Sequence, residues 1–87
     1  MRVVYKYAVP VSAGRRHPIS VSTDARLLHV AEQHGEPTLW LETDPYEVQE
    51  TREFQVIGTG WQVPEQTAYV GTAHCGAFVW HVYEVAR

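Results

Sequence analysis

The sequence has a single cysteine, Cys75, so it contains no intrachain disulfide. It also lacks an apolar run of the roughly 20 residues that cross a bilayer. Its first seven residues have neither the apolar core nor the small-residue cleavage site of a signal peptide. A lone thiol is typical of a reducing compartment. We therefore expect a cytoplasmic protein with no membrane partner.

The sequence also has no large excess of positive or negative charge. Seven basic and ten acidic residues give a formal net charge of −3. Proteins that bind nucleic acid by neutralising phosphates carry a basic face. The only local positive cluster here is the pair Arg15 and Arg16. We therefore expect no nucleic-acid partner.

The chain length predicts one domain that spans residues 1–87. A chain of this size buries only about 60–65% of the surface that it exposes when unfolded. Small domains often add disulfides, a metal ion or oligomerisation to such a modest core. Three Trp, five Tyr and two Phe offset part of the deficit through their large buried areas. We expect no cofactor and no metal, and self-association, with a dimer favoured.

Short runs of Val, Ile, Tyr, Trp and Leu, separated by Gly and Pro, are typical of strands. Strands are predicted at 2–11, 19–22, 38–43 and 54–57, and residues 69–85 are predicted to form a closing β-hairpin. The polar stretch 46–53 is a loop or an edge strand. Residues 23–35 fit a helix capped by Asp24 or a strand. The fold prediction is all-β, with about six strands in a small antiparallel sandwich or half-open barrel built from consecutive hairpins.

The closing hairpin carries the heaviest apolar load of the chain. On its second strand Phe78, Trp80 and Val82 point to one side, and the residues between them point to the other. Because both sides are bulky, we expect this strand to be covered on both faces. Of the three tryptophans, Trp40 and Trp80 are predicted in the core, and Trp61 is predicted at an exposed position.

His74, Cys75 and His81 are the candidates for a reactive cluster, since a thiol beside a histidine can act as a nucleophile. Their spacing matches no zinc motif. A turn histidine, a small buried thiol and a half-buried strand histidine explain the same residues without any chemistry, because cysteine is more often an inert small hydrophobe. We expect no metal site here.

Gly58, Thr59 and Gly60 form a second candidate, with Trp61 and Arg52 beside them. Backbone amides of such a loop can hold a small anion together with an arginine. A dinucleotide or P-loop fingerprint needs further residues that do not follow here. The alternative is a tight turn or bulge. Trp61 and Tyr83 are candidates for an interface.

Several strings together resemble one family. They are Lys6–Val9, Leu28–Pro37, Leu39-Trp40, Phe54–Gly60, Tyr69–Thr72 and Phe78–Glu84. These strings are similar to those of small proteins encoded by tailed phages and prophages, chiefly of actinobacteria, whose domain has no assigned function. The resemblance implies a phage accessory protein with a mainly β fold, and it implies a strand at Arg26–Gln33. Thr23-Asp24-Ala25 departs from the family's Pro- and Gly-containing turn.

Three hypotheses for function follow. The first is a non-catalytic accessory module that self-associates and binds a host or phage protein through an aromatic face that includes Trp61 or Tyr83. The second is an oligomer that sequesters a small anionic or nucleotide ligand in counter-defence, between Gly58–Trp61 and an arginine. The third is a small hydrolase that uses His74, Cys75 and His81.

Overall fold

The computed structural model describes all residues 1–87 and contains seven strands, one more than the number predicted. The strands are β1 (Val3–Ala8), β2 (His17–Ser22), β3 (Arg26–Gln33), β4 (Glu36–Thr43), β5 (Gln49–Gly58), β6 (Thr67–Cys75) and β7 (Phe78–Val85), with one 3₁₀ turn at Ser12–Gly14. Strand β5 begins earlier than predicted because Gln49–Glu53, polar as it is, pairs with β2. The chain has no helix that could cross a membrane.

The strands form two antiparallel sheets, in the orders β1-β4-β3 and β2-β5-β7-β6. The prediction of an all-β antiparallel sandwich is confirmed, and the two sheets do not close into a barrel. Only β3–β4 and β6–β7 pair as hairpins of consecutive strands. The pairs β1–β4, β2–β5 and β5–β7 join strands that are distant in sequence. The chain therefore crosses between the sheets several times before the hairpin β6–β7 completes the larger one.

The ambiguous segment is strand β3, as the resemblance implied, and the helical alternative is wrong. Leu27 pairs with Leu41 and Val30 pairs with Leu39, so these two side chains of β3 face the core, whereas Leu28, at the register shift, is exposed. A two-residue turn at His34 and Gly35, both with positive φ, returns the chain into β4. Such a turn matches the natural twist of paired strands. Tertiary pairing decides this segment where local propensity does not.

The core lies between the two sheets and is entirely aliphatic apart from one aromatic ring. Its members are Val9, Ile19, Val21, Leu39, Leu41, Phe54, Val56 and Val82. Each such side chain contributes about 1.5–3 kcal/mol on burial. The predicted placement of Trp40 in this core is wrong, because Trp40 alternates with Leu39 and Leu41 and so lies on the outer face, beside His29. Trp80 is half-buried and packs against the edge of the core.

The two sheets meet most closely where β6 passes β3. A Cβ at Gly71 would lie 2.5 Å from Cβ of Val30, so only glycine allows this approach. The pairing of β6 with β7 shifts register between Tyr69 and Gly71, as expected for a bulge at such a bend. This contact closes one side of the sandwich.

A small polar cluster ties the end of β2 to the end of β4. The Ser22 amide donates to Oγ1 of Thr43 at 2.9 Å, and the Asp44 amide donates to Oγ of Ser22 at 3.0 Å. Ser22 and Thr43 are both buried, and their hydroxyls also hydrogen-bond to each other at 3.0 Å. Buried polar groups that are satisfied in this way hold strand ends in one arrangement.

Candidate functional site

An open groove lies at one end of the four-stranded sheet, between the turn after β5 and the tip of the β6–β7 hairpin. Seven residues line it: Gly58, Thr59, Trp61, Ala77, Phe78, Val79 and Trp80. We call it the aromatic groove. Its volume is about 460 Å³. Pockets that hold small ligands or single side chains of a partner fall in this size class, roughly 300–1,000 Å³.

The turn after β5 builds one wall of the aromatic groove. The Trp61 amide donates to the carbonyl of Gly58 at 3.0 Å, and this bond closes the turn. The indole then folds back over Gly58, where an added Cβ would lie only 2.8 Å from Cε2 of Trp61. The tryptophan ring thus packs directly on the backbone of the glycine. The amide of Trp61 is already used by the turn and is not free to bind an anion.

Three aromatic rings form the body of the groove. Trp61 and Trp80 meet edge to face, with centroids 5.7 Å apart and planes inclined at 74°. Phe78 stacks on Trp80 with centroids 5.7 Å apart and planes inclined at 19°. Phe78 is 63% exposed and Trp61 is 45% exposed, so both present ring area to a ligand. Exposed aromatic rings grouped in one concave site are typical of binding surfaces.

The lining is poor in polar groups and has no charged residue. Apart from the indole N–H groups of Trp61 and Trp80, Thr59 contributes the only polar side-chain group among the seven lining residues. Its hydroxyl hydrogen-bonds Nε2 of His81 at 2.8 Å. The groove therefore suits an uncharged apolar or aromatic group, because an anion placed there would lose its hydration without gaining a cation.

His81 belongs to a hydrogen-bonded chain on the outer face of the sheet. Its Nδ1 lies 3.1 Å from Oγ1 of Thr72, whose hydroxyl lies 2.6 Å from the hydroxyl of Tyr69. A neutral imidazole donates from one nitrogen and accepts at the other, and hydroxyls can fill either role. Both ring nitrogens of His81 are thus satisfied. The chain holds Thr59, and with it the wall of the groove, against the sheet.

Tyr83, a predicted interface residue, lies on this same outer face and outside the aromatic groove. Its ring meets that of Tyr69 edge to face, with centroids 5.7 Å apart and planes inclined at 68°. Trp61, the other predicted interface residue, lines the groove. The structure therefore places the two on separate surfaces.

His74, Cys75 and His81 are not brought together. Cys75 is buried on the inner side of β6, and its neighbour His74 is exposed on the outer side, since successive strand residues alternate. His74 and His81 share the outer face as diagonal neighbours, since His74 pairs with Val79 and His81 pairs with Thr72. The His81 ring bonds Thr59 and Thr72, and Cys75 lies on the opposite face from both histidines. No three His, Cys, Asp or Glu side chains are placed to hold a metal ion.

The environment of Cys75 opposes its use as a nucleophile. Burial, and secondarily the negative charge of Glu32, raises the pKa of the Cys75 thiol. Reactive cysteines have the opposite environment, which lowers the pKa and exposes the thiolate. The residue is a small apolar component at the edge of the core.

Arg52 lies on the inner side of β5, at the far end from Gly58, roughly 20 Å away along the strand. Its guanidinium binds both carboxylate oxygens of Glu84 at 2.7 Å and donates to the carbonyl of Ala25 at 3.0 Å. These hydrogen bonds with Glu84 raise the pKa of Arg52. Arg52 is committed to the sandwich and does not line the groove. Of the five predicted ligand-binding residues, Gly58, Thr59 and Trp61 line it, and Gly60 lies in the adjoining turn.

Sequence reasoning missed the hairpin side of the groove, namely Ala77, Phe78, Val79 and Trp80. Gly58 pairs with Trp80 across β5 and β7, and no local pattern reveals such a long-range pairing. The available signal was the spacing of Phe78 and Trp80, which puts two aromatic rings on one side of β7 near its turn.

Comparison with known proteins gives a family and no function. The family model described as "Domain of unknown function (DUF7352)" matches residues 1–87, and the chain belongs to this family. No curated protein and no solved structure matches the chain.

Proposed function

We propose that this member of a family without an assigned function is a non-catalytic, self-associating binding module, and that its aromatic groove receives an apolar or aromatic side chain of a protein partner. The observation that carries the proposal is the grouping of Trp61, Phe78 and Trp80 around one concave site with no charged lining residue. Binding hot spots are enriched in such aromatic pockets.

The setting that we propose is that of a phage-type accessory protein in the host cytoplasm, with a host or phage protein as partner. The family resemblance in the sequence supports the phage setting. A single buried cysteine, which forms no disulfide, supports a reducing compartment. The formal net charge of −3 supports a protein partner over nucleic acid.

The geometry favours binding of a neutral group over the two other hypotheses. Sequestration of an anion or nucleotide needs positive charge at the site, and Arg52 is held by Glu84 outside the groove. Hydrolysis by a thiol needs an exposed, activated cysteine, and Cys75 is buried with a raised pKa. The aromatic groove requires neither feature.

Amide-resolved NMR titration tests the proposal with simple probes. The capped peptide Ac-Gly-Trp-Gly-NH₂ is compared with Ac-Gly-Ala-Gly-NH₂ and with AMP. We expect the tryptophan peptide to shift the resonances of Thr59, Val79 and the Trp61 indole, because only it offers an aromatic ring to the groove. Equal shifts from the alanine peptide, or larger ones from AMP, would overturn the proposal.

Variants separate the groove from the rest of the surface. Phe78→Ala removes an exposed ring of the groove, and Tyr46→Ala removes an exposed ring elsewhere, since Tyr46 is 81% exposed and is not a lining residue. We expect the first to weaken binding of the tryptophan peptide about three- to tenfold, the range for one aromatic contact, and the second to leave it unchanged. Equal effects of the two would contradict the assignment of the groove.

A further inference from the structure

The sandwich has four edge strands, and three of them are protected against pairing with another chain. The edges are β1 and β3 in one sheet and β2 and β6 in the other. Strand β2 contains Pro18, which has no amide proton. Strand β3 shifts register between Leu27 and His29, and β6 shifts register between Tyr69 and Gly71. Prolines and bulges are the usual devices that block edge pairing.

Strand β1 has no proline or bulge. Its six residues pair with β4 in unbroken antiparallel register from Val3 to Ala8. Val4 is 53% exposed and Tyr5 is 46% exposed, on opposite faces of the strand. Lys6 is its one charged residue. A regular, apolar, unpaired edge is a template for a further strand.

The hydrogen bonding of β1 with β4 shows which backbone amide and carbonyl groups of β1 point away from β4. The Val9 amide donates to the carbonyl of Pro37 at 2.9 Å, so Val9 directs its polar groups toward β4. Backbone groups alternate in direction along an antiparallel strand. Val3, Tyr5 and Tyr7 therefore bond to β4. The amide and carbonyl groups of Val4, Lys6 and Ala8 point outward.

We infer that β1 pairs antiparallel with β1 of a second copy of the chain, centred on Tyr5. The pairing joins the two three-stranded sheets into one continuous sheet. Val4 of each copy then lies opposite Lys6 of the other copy, and each of these two pairs exchanges two backbone hydrogen bonds. The dimer therefore gains about four backbone bonds in all. The inference supplies the surface for the self-association in the proposed function, and it does not depend on the aromatic groove.

Side-chain pairing selects this register over its neighbours. Hydrogen bonds form only when outward-directed residues of one copy lie opposite outward-directed residues of the other. The symmetry axis of the pair can therefore pass through a residue, such as Val4, Tyr5 or Lys6, but not between two residues. A centre at Val4 pairs only residues 3–5 of the two β1 strands with each other, because Lys6 then lies opposite Arg2, which is outside β1 and is already bonded to Asp24 and Glu42. A centre at Lys6 places two ammonium groups opposite each other. Like charges directly opposite destabilise a strand pair. The centre at Tyr5 places Val4 opposite Lys6 and the two Tyr5 rings opposite each other, which is favourable.

Cysteine cross-linking tests both the edge and the register. Tyr5 and its copy form a pair without backbone bonds, with Cα atoms about 4.5 Å apart, within the range that a disulfide spans. The two Lys6 Cα atoms are offset by two residues, about 8 Å apart, too far for a disulfide. Under mild oxidation we expect Tyr5→Cys to form a covalent dimer. We expect Lys6→Cys and the wild-type chain, whose only thiol is buried, to remain monomers on denaturing gels.

Absence of a Tyr5→Cys dimer, or faster cross-linking of Lys6→Cys, would overturn the inference. A second measurement does not require cysteine. Val4→Pro removes an outward amide that β4 does not use, and Val4→Thr is the matched control that keeps it. By sedimentation equilibrium we expect the proline variant to raise the dimer dissociation constant about tenfold or more, since symmetry removes two backbone bonds, and the threonine variant to change it little. An unchanged constant for a folded Val4→Pro chain would also overturn it.

These outcomes are distinguishable from a failure of the groove. Loss of peptide binding with an intact Tyr5→Cys dimer rejects the groove and keeps the β1 pairing. Peptide binding by a chain that stays monomeric at all concentrations keeps the groove and rejects the pairing.

Discussion

The indole ring of Trp61 rests on the backbone of Gly58, with only 2.8 Å between Cε2 and the position that a Cβ would take. The same glycine pairs with Trp80 across β5 and β7. Gly58 thus contacts the ring of Trp61 where a side chain would stand and lies opposite Trp80 in the strand ladder, and the two rings form one corner of the aromatic groove. The shape of the groove depends on this contact.

Gly58→Ala is expected to displace Trp61 and to destabilise the fold by about 1–3 kcal/mol, the usual cost of overpacking. The measurement is urea unfolding followed by circular dichroism. In a Trp61→Ala background the same substitution meets no ring, so its cost should fall by most of that amount. Equal costs in the two backgrounds would mean that the indole does not rest on Gly58.

The ion pair of Arg52 and Glu84 is expected to be the most stabilising charge contact of the chain. The side chain of Arg52 is 8% exposed and that of Glu84 is 13% exposed, and the pair is bidentate. Arg52→Ala leaves the half-buried carboxylate of Glu84 with only the exposed Arg87, 3.6 Å away, in place of its bidentate partner. We therefore expect a loss of about 2–4 kcal/mol in the free energy of unfolding.

The matched control is Arg16→Ala, because Arg16 contacts Glu53 at 3.7 Å on the exposed surface. We expect that loss to be within about 0.5 kcal/mol. Arg52→Lys should fall between the two, since a lysine cannot bind both carboxylate oxygens in a fixed fork. A similar loss for Arg52→Ala and Arg16→Ala, measured by urea unfolding, would show that Arg52 has no special role.

Local patterns in the sequence predicted the strands well, whereas partners distant in the chain escaped prediction. The hairpin β6–β7 could be predicted because alternation and a Gly-containing turn are local signals. Thr59 and His81 are 22 positions apart, and Arg52 and Glu84 are 32 apart. No periodicity encodes which strands become neighbours. Sequence reasoning therefore identified one wall of the groove and assigned Arg52 to it, while the fold directs that arginine into the sandwich.

Asp44 is expected to make the fold less stable in acid. The N-terminal amine donates to Oδ2 of Asp44 at 2.8 Å, and the Tyr46 amide donates to Oδ1 at 3.0 Å. The hydrogen bond from the amine, and to a smaller extent that from the Tyr46 amide, lowers the pKa of Asp44 in the folded chain. A carboxyl group with a lowered pKa stabilises the fold above its unfolded pKa of about 3.9 and loses that contribution as the pH falls through the folded value.

The comparison of wild type with Asp44→Asn isolates this effect. We expect the wild-type chain to be more stable at pH 7 and the difference to shrink as the pH falls from about 5 toward about 2. Urea unfolding at a series of pH values measures it. Asp24→Asn is a control for an exposed ion pair, because Asp24 contacts Arg2 at 2.7 Å but its side chain is 62% exposed, and such pairs contribute little. A difference between wild type and Asp44→Asn that is constant with pH would contradict the role of the ionised carboxylate.

Cys75 is expected to react slowly with alkylating reagents while the chain is folded. Its burial raises the pKa of the thiol, so the thiolate is scarce at neutral pH, and the reagent also lacks access. We expect iodoacetamide at pH 8 to label Cys75 at least about tenfold more slowly than it labels the urea-unfolded chain. His74→Cys in a Cys75→Ala chain provides the comparison, since position 74 is adjacent but exposed on the opposite side of β6. If Cys75 reacted as fast as that exposed thiol, burial would not govern its chemistry. The hypothesis of a thiol nucleophile, which requires an accessible and reactive cysteine, would then be supported.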